Sequence, residues 1–259
     1  MAGRGACTTR RSGMKVPFER TGELMDLGSY PAWLRDVVGA TAELKERVRM
    51  HPVFGDMSRS ALSVAQLRTF FVTGWAVVSQ FPEYMAMNLL KTAALRSRGD
   101  EKARRYLIRN IRVEQNHVDH WVNWANASGV AVERLLRGDA PPAGFALSHW
   151  CWKSASTDGL AESMAATNYA IEGVTGEWSA RLCETDYEQQ FDPSLRHRAM
   201  RWLRLHAEYD DTHPWEALDI VATLLGQAPS AEQVRAVEQS IRNSLTYFEA
   251  SLDCCTQAR

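Results

Sequence analysis

The chain has 259 residues, of which 45% are hydrophobic and 24% are charged, and its formal net charge at pH 7 is −1. This composition excludes a disordered or collagen-like chain and is typical of a globular protein with one large core. Because 30 basic residues are balanced by 31 acidic ones, no overall positive field gathers phosphate groups, and we expect no nucleic-acid partner.

The most apolar stretch, residues 67–81, is interrupted by Arg68 and by polar residues, and falls short of the roughly 18 apolar residues that cross a bilayer. We therefore expect no stable membrane insertion. The cysteines are odd in number and show no C-x-x-C spacing, which indicates reduced thiols and a cytoplasmic location. Residues 1–20 are rich in arginine but lack the apolar segment of a secretory signal, so they are predicted to be a flexible tail.

Apolar residues recur with helical spacing along almost the whole chain, and no stretch alternates as a half-buried strand would. Pro82 is expected to kink or divide the helix that contains it, and the glycine- and proline-rich residues 138–144 form the clearest loop. The aromatic residues 145–152 fit a short helix or a packed connector. The predicted helices cover about residues 31–50, 63–95, 100–127, 130–137, 158–184, 191–225 and 231–252.

This pattern predicts an all-α fold, a single-domain bundle of about seven helices. No linker of disordered composition separates two halves of the chain. The helical domain is therefore predicted over residues 21–253, between the N-terminal tail of residues 1–20 and a C-terminal tail of residues 254–259.

Two of the predicted helices carry acidic residues in positions typical of metal ligands. Glu114 and His117 are three positions apart on one helix, which places a carboxylate beside an imidazole. Such a pair on its own is common as a helix ion pair or on a solvated face. Glu172, on the helix over residues 158–184, lies in an apolar context, where an ionised carboxylate is costly without a partner. A bound cation would offset that cost.

The helix predicted over residues 191–225 carries a stripe of further ligand types. His206, Asp210 and His213 fall at positions i, i+4 and i+7, on one face of a continuous helix. Together with the acids on the other two helices, they resemble in type the carboxylate-rich di-iron sites of helix bundles. No cysteine belongs to the set, which disfavours a structural zinc site.

The same residues, in a chain of about seven helices, resemble the haem-oxygenase-like non-haem di-iron oxidases. The longer strings are similar, more narrowly, to the bacterial medium-chain fatty acid decarboxylases that form 1-undecene. The similarity covers roughly residues 20–250. The strings that carry it are NIRVEQNHVDHWVNW, ALSHWCW, AATNYAIEGVTGEWSA and HAEYDDTHPWEAL.

The resemblance implies that the helical domain is a metal-binding catalytic domain with two sets of iron ligands. The spacing of the residues alone leaves open which of them hold which iron. The first set is also expected to be catalytic, and the second is expected to hold its iron more loosely. The sets are Glu114, His117 and His206 for the first iron, and Glu172, Asp210 and His213 for the second.

The resemblance further implies Fe(II) as cofactor, one or two per chain, dioxygen as co-substrate, and an external electron donor. The implied substrate is a medium-chain saturated fatty acid of about 10 to 14 carbons, such as dodecanoic acid, which becomes a terminal 1-alkene and CO2. A homodimer is one expected oligomeric state. The side chains proposed to line an apolar tunnel for the substrate are Trp75, Phe81, Tyr84, Met85, Tyr169 and Trp215.

Three other interpretations stay open. The same scaffold could act on an amino-acid-derived substrate by desaturation, N-oxygenation or carbon–carbon cleavage, which would favour a polar pocket. A helical protein that binds metal or a partner without turnover would show no oxygen consumption that depends on a fatty acid. A metal-free relative acting on a pyrimidine or quinone precursor would not need the complete ligand set.

Overall fold

The computed structural model describes residues 16–94, 96–209 and 212–258, and these are helical without any strand. The all-α prediction is confirmed. No helix in these ranges combines the length and the apolar character that a membrane span requires. The α-helices are α1 (Ala32–Arg49), α2 (Pro52–Ser58), α3 (Val64–Val78), α4 (Phe81–Lys91), α5 (Arg98–Ala127), α6 (Val132–Arg137), α7 (Ala146–Thr157), α8 (Leu160–Met164), α9 (Glu172–Cys183), α10 (Arg196–Tyr209), α11 (His213–Leu225) and α12 (Ala231–Gln257).

The apolar stretch that contains Pro82 forms two helices. Helix α3 begins with a capping box, in which the Ser63 hydroxyl and the Gln66 side chain satisfy each other's backbone N–H groups. It ends at Val78, and α4 begins at Phe81. Pro82 therefore lies in the first turn of α4, where its missing N–H costs no hydrogen bond.

The prediction of one helix over residues 191–225 is wrong. Helix α10 ends at Tyr209, and α11 begins at His213 with Pro214 in its first turn. Proline is accepted in a first turn but breaks a helix interior, which is the physical reason for the division. His206 and His213 therefore lie on different helices, and they do not form one stripe.

Helices α8 and α9 are joined without a break by a π-helical segment, Ala165–Ile171, so that helix runs from Leu160 to Cys183. All seven residues of the segment are buried. They pack against α11 and α12. Single π-helical turns of this kind occur often at functional sites.

The long helix α5 lies at the centre of the bundle, in contact with α3, α4, α10 and α11. Helix α12 covers the other side, against α1, α7 and the π-helical segment. It continues through residues 254–257, which the sequence assigned to a tail, because Cys254 and Cys255 are buried. Phe18, in the part of the predicted N-terminal tail that the structure describes, is also buried.

Candidate metal centre

Three predicted ligands come together in the core. One donor atom from each of Glu114, His117 and His206 lies within 4.8 Å of the other two. Helix α5 supplies the first two and α10, which packs against α5, supplies the third. All three side chains are buried. The structure therefore assembles one carboxylate and two imidazoles at a spacing that a single metal ion could bridge.

The imidazole of His206 is held by its own helix. Its Nδ1 lies 2.8 Å from the carbonyl oxygen of Trp202, one turn earlier, to which it donates. The indole ring of Trp202 also stacks on the imidazole, with ring centroids 3.7 Å apart. Burial, followed by the nearby His117, holds the pKa of His206 well below its ordinary value. A backbone carbonyl that orients Nδ1 in this way is typical of histidines that bind a metal through Nε2.

Glu114 and His117 lie side by side on α5. His117 Nδ1 is 3.1 Å from Glu114 Oε2, as the three-residue spacing on a helix predicts. The centroids of the two histidine rings, His117 and His206, are 4.5 Å apart. The two imidazoles and the carboxylate are therefore close enough to share one cation.

Glu172 stands at the junction between the π-helical segment and α9, and it is buried. Asn168 Nδ2 donates to its Oε1 at 2.5 Å, and the hydroxyl of Tyr106 donates to Oε2 at 3.4 Å. The buried carboxylate is thus positioned by two neutral donors. Sequence reasoning missed both Asn168 and Tyr106, although Asn168 lies at the i−4 position that faces Glu172 on a helix.

The rest of the second predicted ligand set is only partly described. His213 is the first residue of α11, and its ring lies edge-on to Tyr106 with centroids 6.3 Å apart. Since Tyr106 also contacts Glu172, the two predicted ligands share a neighbour. Asp210 lies outside the residues that the structure describes. The assignment of Glu172, Asp210 and His213 to a second iron stays a prediction.

A cavity with mostly apolar walls opens beside these ligands. Helices α3, α4, α5, α7, α9, α10 and α12 all contribute to its lining. Among the described residues that line it there is no lysine and no arginine. The lining consists of Phe70, Thr73, Gly74, Val77, Val78, Phe81, Glu114, His117, Trp121, Leu147, Ile171, Glu172, Thr175, Trp178, Trp202, His206, Phe248, Ser251 and Leu252.

Of the six predicted tunnel residues, Phe81 belongs to this lining. The five that lie outside it are Trp75, Tyr84, Met85, Tyr169 and Trp215. The Tyr84 hydroxyl donates to Gln80 Oε1 at 3.0 Å. Tyr169 lines a separate cleft beside α1, and Trp215 packs against Tyr30 with ring centroids 6.0 Å apart. Aromatic and methionine side chains at helical spacing are often core residues, and spacing alone does not tell the two roles apart.

The donor set fits iron. Two histidines and one carboxylate are the ligands of many non-haem Fe(II) oxygenases, and they leave coordination positions open for dioxygen and a substrate. Among the described residues, the cavity lining contains two acidic side chains and neither lysine nor arginine. Burying a carboxylate away from water is costly, and a bound cation lowers that cost. The residues present therefore match an iron ion chemically, without the cysteines expected of a structural zinc site.

Comparison with known families agrees with this chemistry. A profile of the family described as iron-containing redox enzymes matches residues 68–246, more than half of the chain, and the three clustered ligands fall inside the match. The chain belongs to this family of iron-containing redox enzymes. No curated protein matches the sequence.

Solved structures extend the comparison over nearly the whole chain. A TenA homolog from Pseudomonas syringae pv. tomato is 47% identical, with a TM-score of 0.91, over 93% of this chain and 99% of its own. A domain of unknown function with a haem-oxygenase-like fold from Shewanella denitrificans is 16% identical, with a TM-score of 0.68, over 86% of this chain and 92% of its own. A TenA homologue from Pyrococcus furiosus is 11% identical, with a TM-score of 0.64, over 86% and 99%. The predicted haem-oxygenase-like fold is confirmed.

Proposed function

We propose that this protein is a non-haem iron oxidase that converts medium-chain saturated fatty acids of about 10 to 14 carbons, with dioxygen, to terminal 1-alkenes one carbon shorter and CO2. The observation that carries the proposal is the cavity: apolar walls from seven helices end at Glu114, His117 and His206. With a cation bound at these ligands, a molecule with a long alkyl chain and one carboxylate would be complementary to that arrangement.

Glu114, His117 and His206 would hold the first iron, and Glu172, Asp210 and His213 would complete a second site. When bound, Fe(II) supplies open coordination positions for dioxygen and for the substrate carboxylate. The carbonyl of Trp202 fixes the Nδ1–H tautomer of His206, so Nε2 is presented to the metal without rearrangement.

The cavity walls would orient the substrate. Its carboxylate belongs at the ligand end, because the described lining offers it no basic side chain elsewhere. The alkyl chain then runs between Val77, Phe81 and Phe248, where each buried methylene contributes about 0.8 kcal/mol. This orientation holds the β-carbon of the acid near the metal centre, and the apolar walls exclude water from it.

The electron balance of the reaction requires an external source of electrons. Loss of CO2 and of the β-hydrogen from the acid releases two electrons, whereas reduction of dioxygen to water consumes four. Two further electrons and two protons must therefore come from outside, through an external electron donor.

The test is product analysis under controlled iron loading. Protein loaded anaerobically with Fe(II) should convert dodecanoic acid, after addition of oxygen and reductant, to 1-undecene in the headspace. Protein without iron, and the His206→Ala variant, are the matched controls. Deuterium at the β-carbon should slow the reaction if hydrogen removal there limits the rate, and deuterium at the α-carbon should matter little.

A different outcome would redirect the proposal. If dodecanoic acid yields no alkene but a free amino acid triggers iron-dependent oxygen uptake, the substrate is of the amino-acid-derived class. If iron binds but neither compound stimulates oxygen uptake, a binding role without turnover takes the place of the oxidase.

A further inference from the structure

A stack of indole rings leads away from the metal centre. Trp202 lies against the His206 ring with centroids 3.7 Å apart and an interplanar angle of 28°. The indole of Trp124, on α5, stacks in turn on the indole of Trp202, with ring centroids 5.5 Å apart and an interplanar angle of 23°. Both indoles are buried. An oxidisable indole is therefore in van der Waals contact with a proposed iron ligand, and a second indole stacks on the first.

The stack has an outward end. Trp124 Nε1 donates to the hydroxyl of Tyr187 at 2.9 Å. Tyr187 belongs to a single turn of 3-10 helix, Asp186–Gln190, in which Asp186, Gln189 and Gln190 are exposed. The path from His206 through Trp202 and Trp124 thus ends at Tyr187, a fully buried tyrosine in a turn whose neighbouring residues are exposed.

The second indole stacked on Trp202 belongs to Trp178, and its branch continues into a phenylalanine. Trp178 lies 5.5 Å from Trp202, also at 23°, but beyond it stands Phe54, stacked at 4.5 Å between centroids. A phenyl ring is far harder to oxidise than an indole or a phenol. Of these two branches, the one through Trp124 is the branch in which every ring is oxidisable.

We propose that Trp202, Trp124 and Tyr187 form a relay that carries single electrons from an external one-electron reductant at the protein surface to the buried metal centre. The inference rests on the iron centre of the proposed function, which requires two external electrons per turnover. The clustered ligands are buried, so electrons from a reductant in solution must pass through the protein to reach them, and the relay carries that path to the turn over residues 186–190, whose side chains are partly exposed.

Each transfer moves one electron inward. After the centre has reacted with dioxygen, Trp202 gives it an electron and is refilled from Trp124, which is refilled from Tyr187. When Tyr187 is oxidised, its phenolic proton leaves toward solvent through the side-chain hydrogen bond to the exposed Gln190, and a proton returns by the same route when the reductant restores the residue. The net change is one electron lost by the reductant and one gained by the centre, with the three aromatic residues returned to their starting state.

The relay can be tested by detecting amino-acid radicals in the absence of fatty acid, because no substrate then consumes the oxidising equivalents. Iron-loaded protein is mixed with oxygen, frozen at intervals and examined by electron paramagnetic resonance, with ring-deuterated tyrosine to identify a tyrosyl signal. Wild-type protein should give a tyrosyl radical, which ascorbate removes. Tyr187→Phe should abolish that signal and leave a tryptophanyl radical.

The matched variants keep an aromatic ring in place while raising its oxidation potential. Trp124→Phe and Trp202→Phe should each lower the yield of the tyrosyl radical by about tenfold or more, with unchanged iron content. Trp150→Phe is the control, because Trp150 also stacks on a tyrosine, Tyr247, at 5.7 Å but lies outside the path. It should leave the radical yield as in the wild type.

Two results would overturn the relay. One is a wild-type protein that binds iron and reacts with oxygen but forms no radical on Tyr187. The other is the same tyrosyl yield in the Trp124→Phe and Trp202→Phe variants. Failure of the proposed function looks different, because it appears as no iron uptake or as no alkene from dodecanoic acid in the separate product assay.

Discussion

The helix from Leu160 to Cys183 contributes to the walls of a cavity and of a cleft that differ in their charged residues. On one side is the apolar cavity, whose lining includes Glu114 and Glu172 but no lysine or arginine among the described residues. On the other side is a wider cleft against α1 and α12, in which acids and bases are equal in number. The charged residues of that cleft are Lys45, Arg49 and Arg181, and Glu46, Glu177 and Glu184.

Four of the six charged residues of the cleft form ion pairs with each other. Lys45 Nζ lies 2.6 Å from Glu177 Oε1, and Arg49 Nη2 lies 2.7 Å from Glu46 Oε1. Arg181 donates to the backbone carbonyl of Arg49 at 2.8 Å. Both the cavity and the cleft contain acidic residues, so acidic residues alone do not indicate a metal site. What distinguishes the cavity is that buried carboxylates and histidines lie together in its lining.

The largest effect is expected from the clustered ligands. Replacing Glu114, His117 or His206 by alanine should abolish iron binding at the first site and reduce alkene formation to background, because each variant loses one of three protein ligands. Iron content by elemental analysis and headspace analysis measure the two effects. Glu177→Ala, which removes an acid from the opposite cleft, should retain iron. Full iron content in all three ligand variants would contradict the assignment.

A second prediction concerns the iron assigned to Glu172, Asp210 and His213. If this iron is weakly held, purified protein should contain about one iron or fewer, and excess Fe(II) should raise the rate until a second ion binds. Asp210→Ala should remove this rise and leave the first iron bound. A rate that already saturates at one iron, unaffected by Asp210→Ala, would indicate a mononuclear mechanism.

A smaller effect is expected at the apolar walls. Phe81→Ala enlarges the lining and should shift the preferred substrate toward longer acids. Each additional methylene that becomes buried contributes about 0.8 kcal/mol, or about a fourfold change in kcat/KM. Competition between acids of different length measures the shift. Met85→Leu, a change in a buried side chain outside that lining, should leave the profile unchanged. An equal shift in both variants would place the substrate elsewhere.

The smallest effect is expected in the paired cleft. Glu177→Gln breaks the ion pair with Lys45, but both side chains are partly exposed, 42% and 28% respectively, so water screens the interaction. The free energy of unfolding should fall by no more than about 1 kcal/mol, with iron content unchanged. Denaturant titration of both proteins measures it. A loss several times larger would show that the cavity and the cleft are mechanically coupled through the helix between them.

Local sequence patterns identify the three side chains that the structure clusters. The pair Glu114 and His117 follows from a three-residue helical spacing, whereas Glu172, an acid in an apolar context, stays a predicted ligand of a second iron. His206 was found through a stripe that the structure divides, although Pro214 already signals that division. The role of the Trp202 carbonyl was also within reach, since it lies one helical turn before His206.

Local sequence patterns do not predict which residues line the cavity. Val77, Leu147 and Phe248 meet only because α3, α7 and α12 pack together, and no local pattern encodes that contact. Tyr84 and Met85 have the same apolar character and neighbouring positions but point into the core. Which of several apolar faces borders a cavity is decided by tertiary packing, so five of the six proposed tunnel residues lie outside it.

The π-helical segment before Glu172 makes this part of the helix the place where a one-residue deletion is most easily absorbed. A π-turn holds an additional residue compared with an α-turn, and each residue advances an α-helix by about 100° and 1.5 Å. Deleting one residue from Ala165–Ile171 would let the segment close into ordinary α-helix, while the two flanks keep nearly the same facing. The same deletion between Glu172 and Thr175, where the helix is α-helical, would turn one of these side chains away from the other by about 100°. The facing of the cavity residues on α9 is therefore more sensitive to chain length after Glu172 than before it.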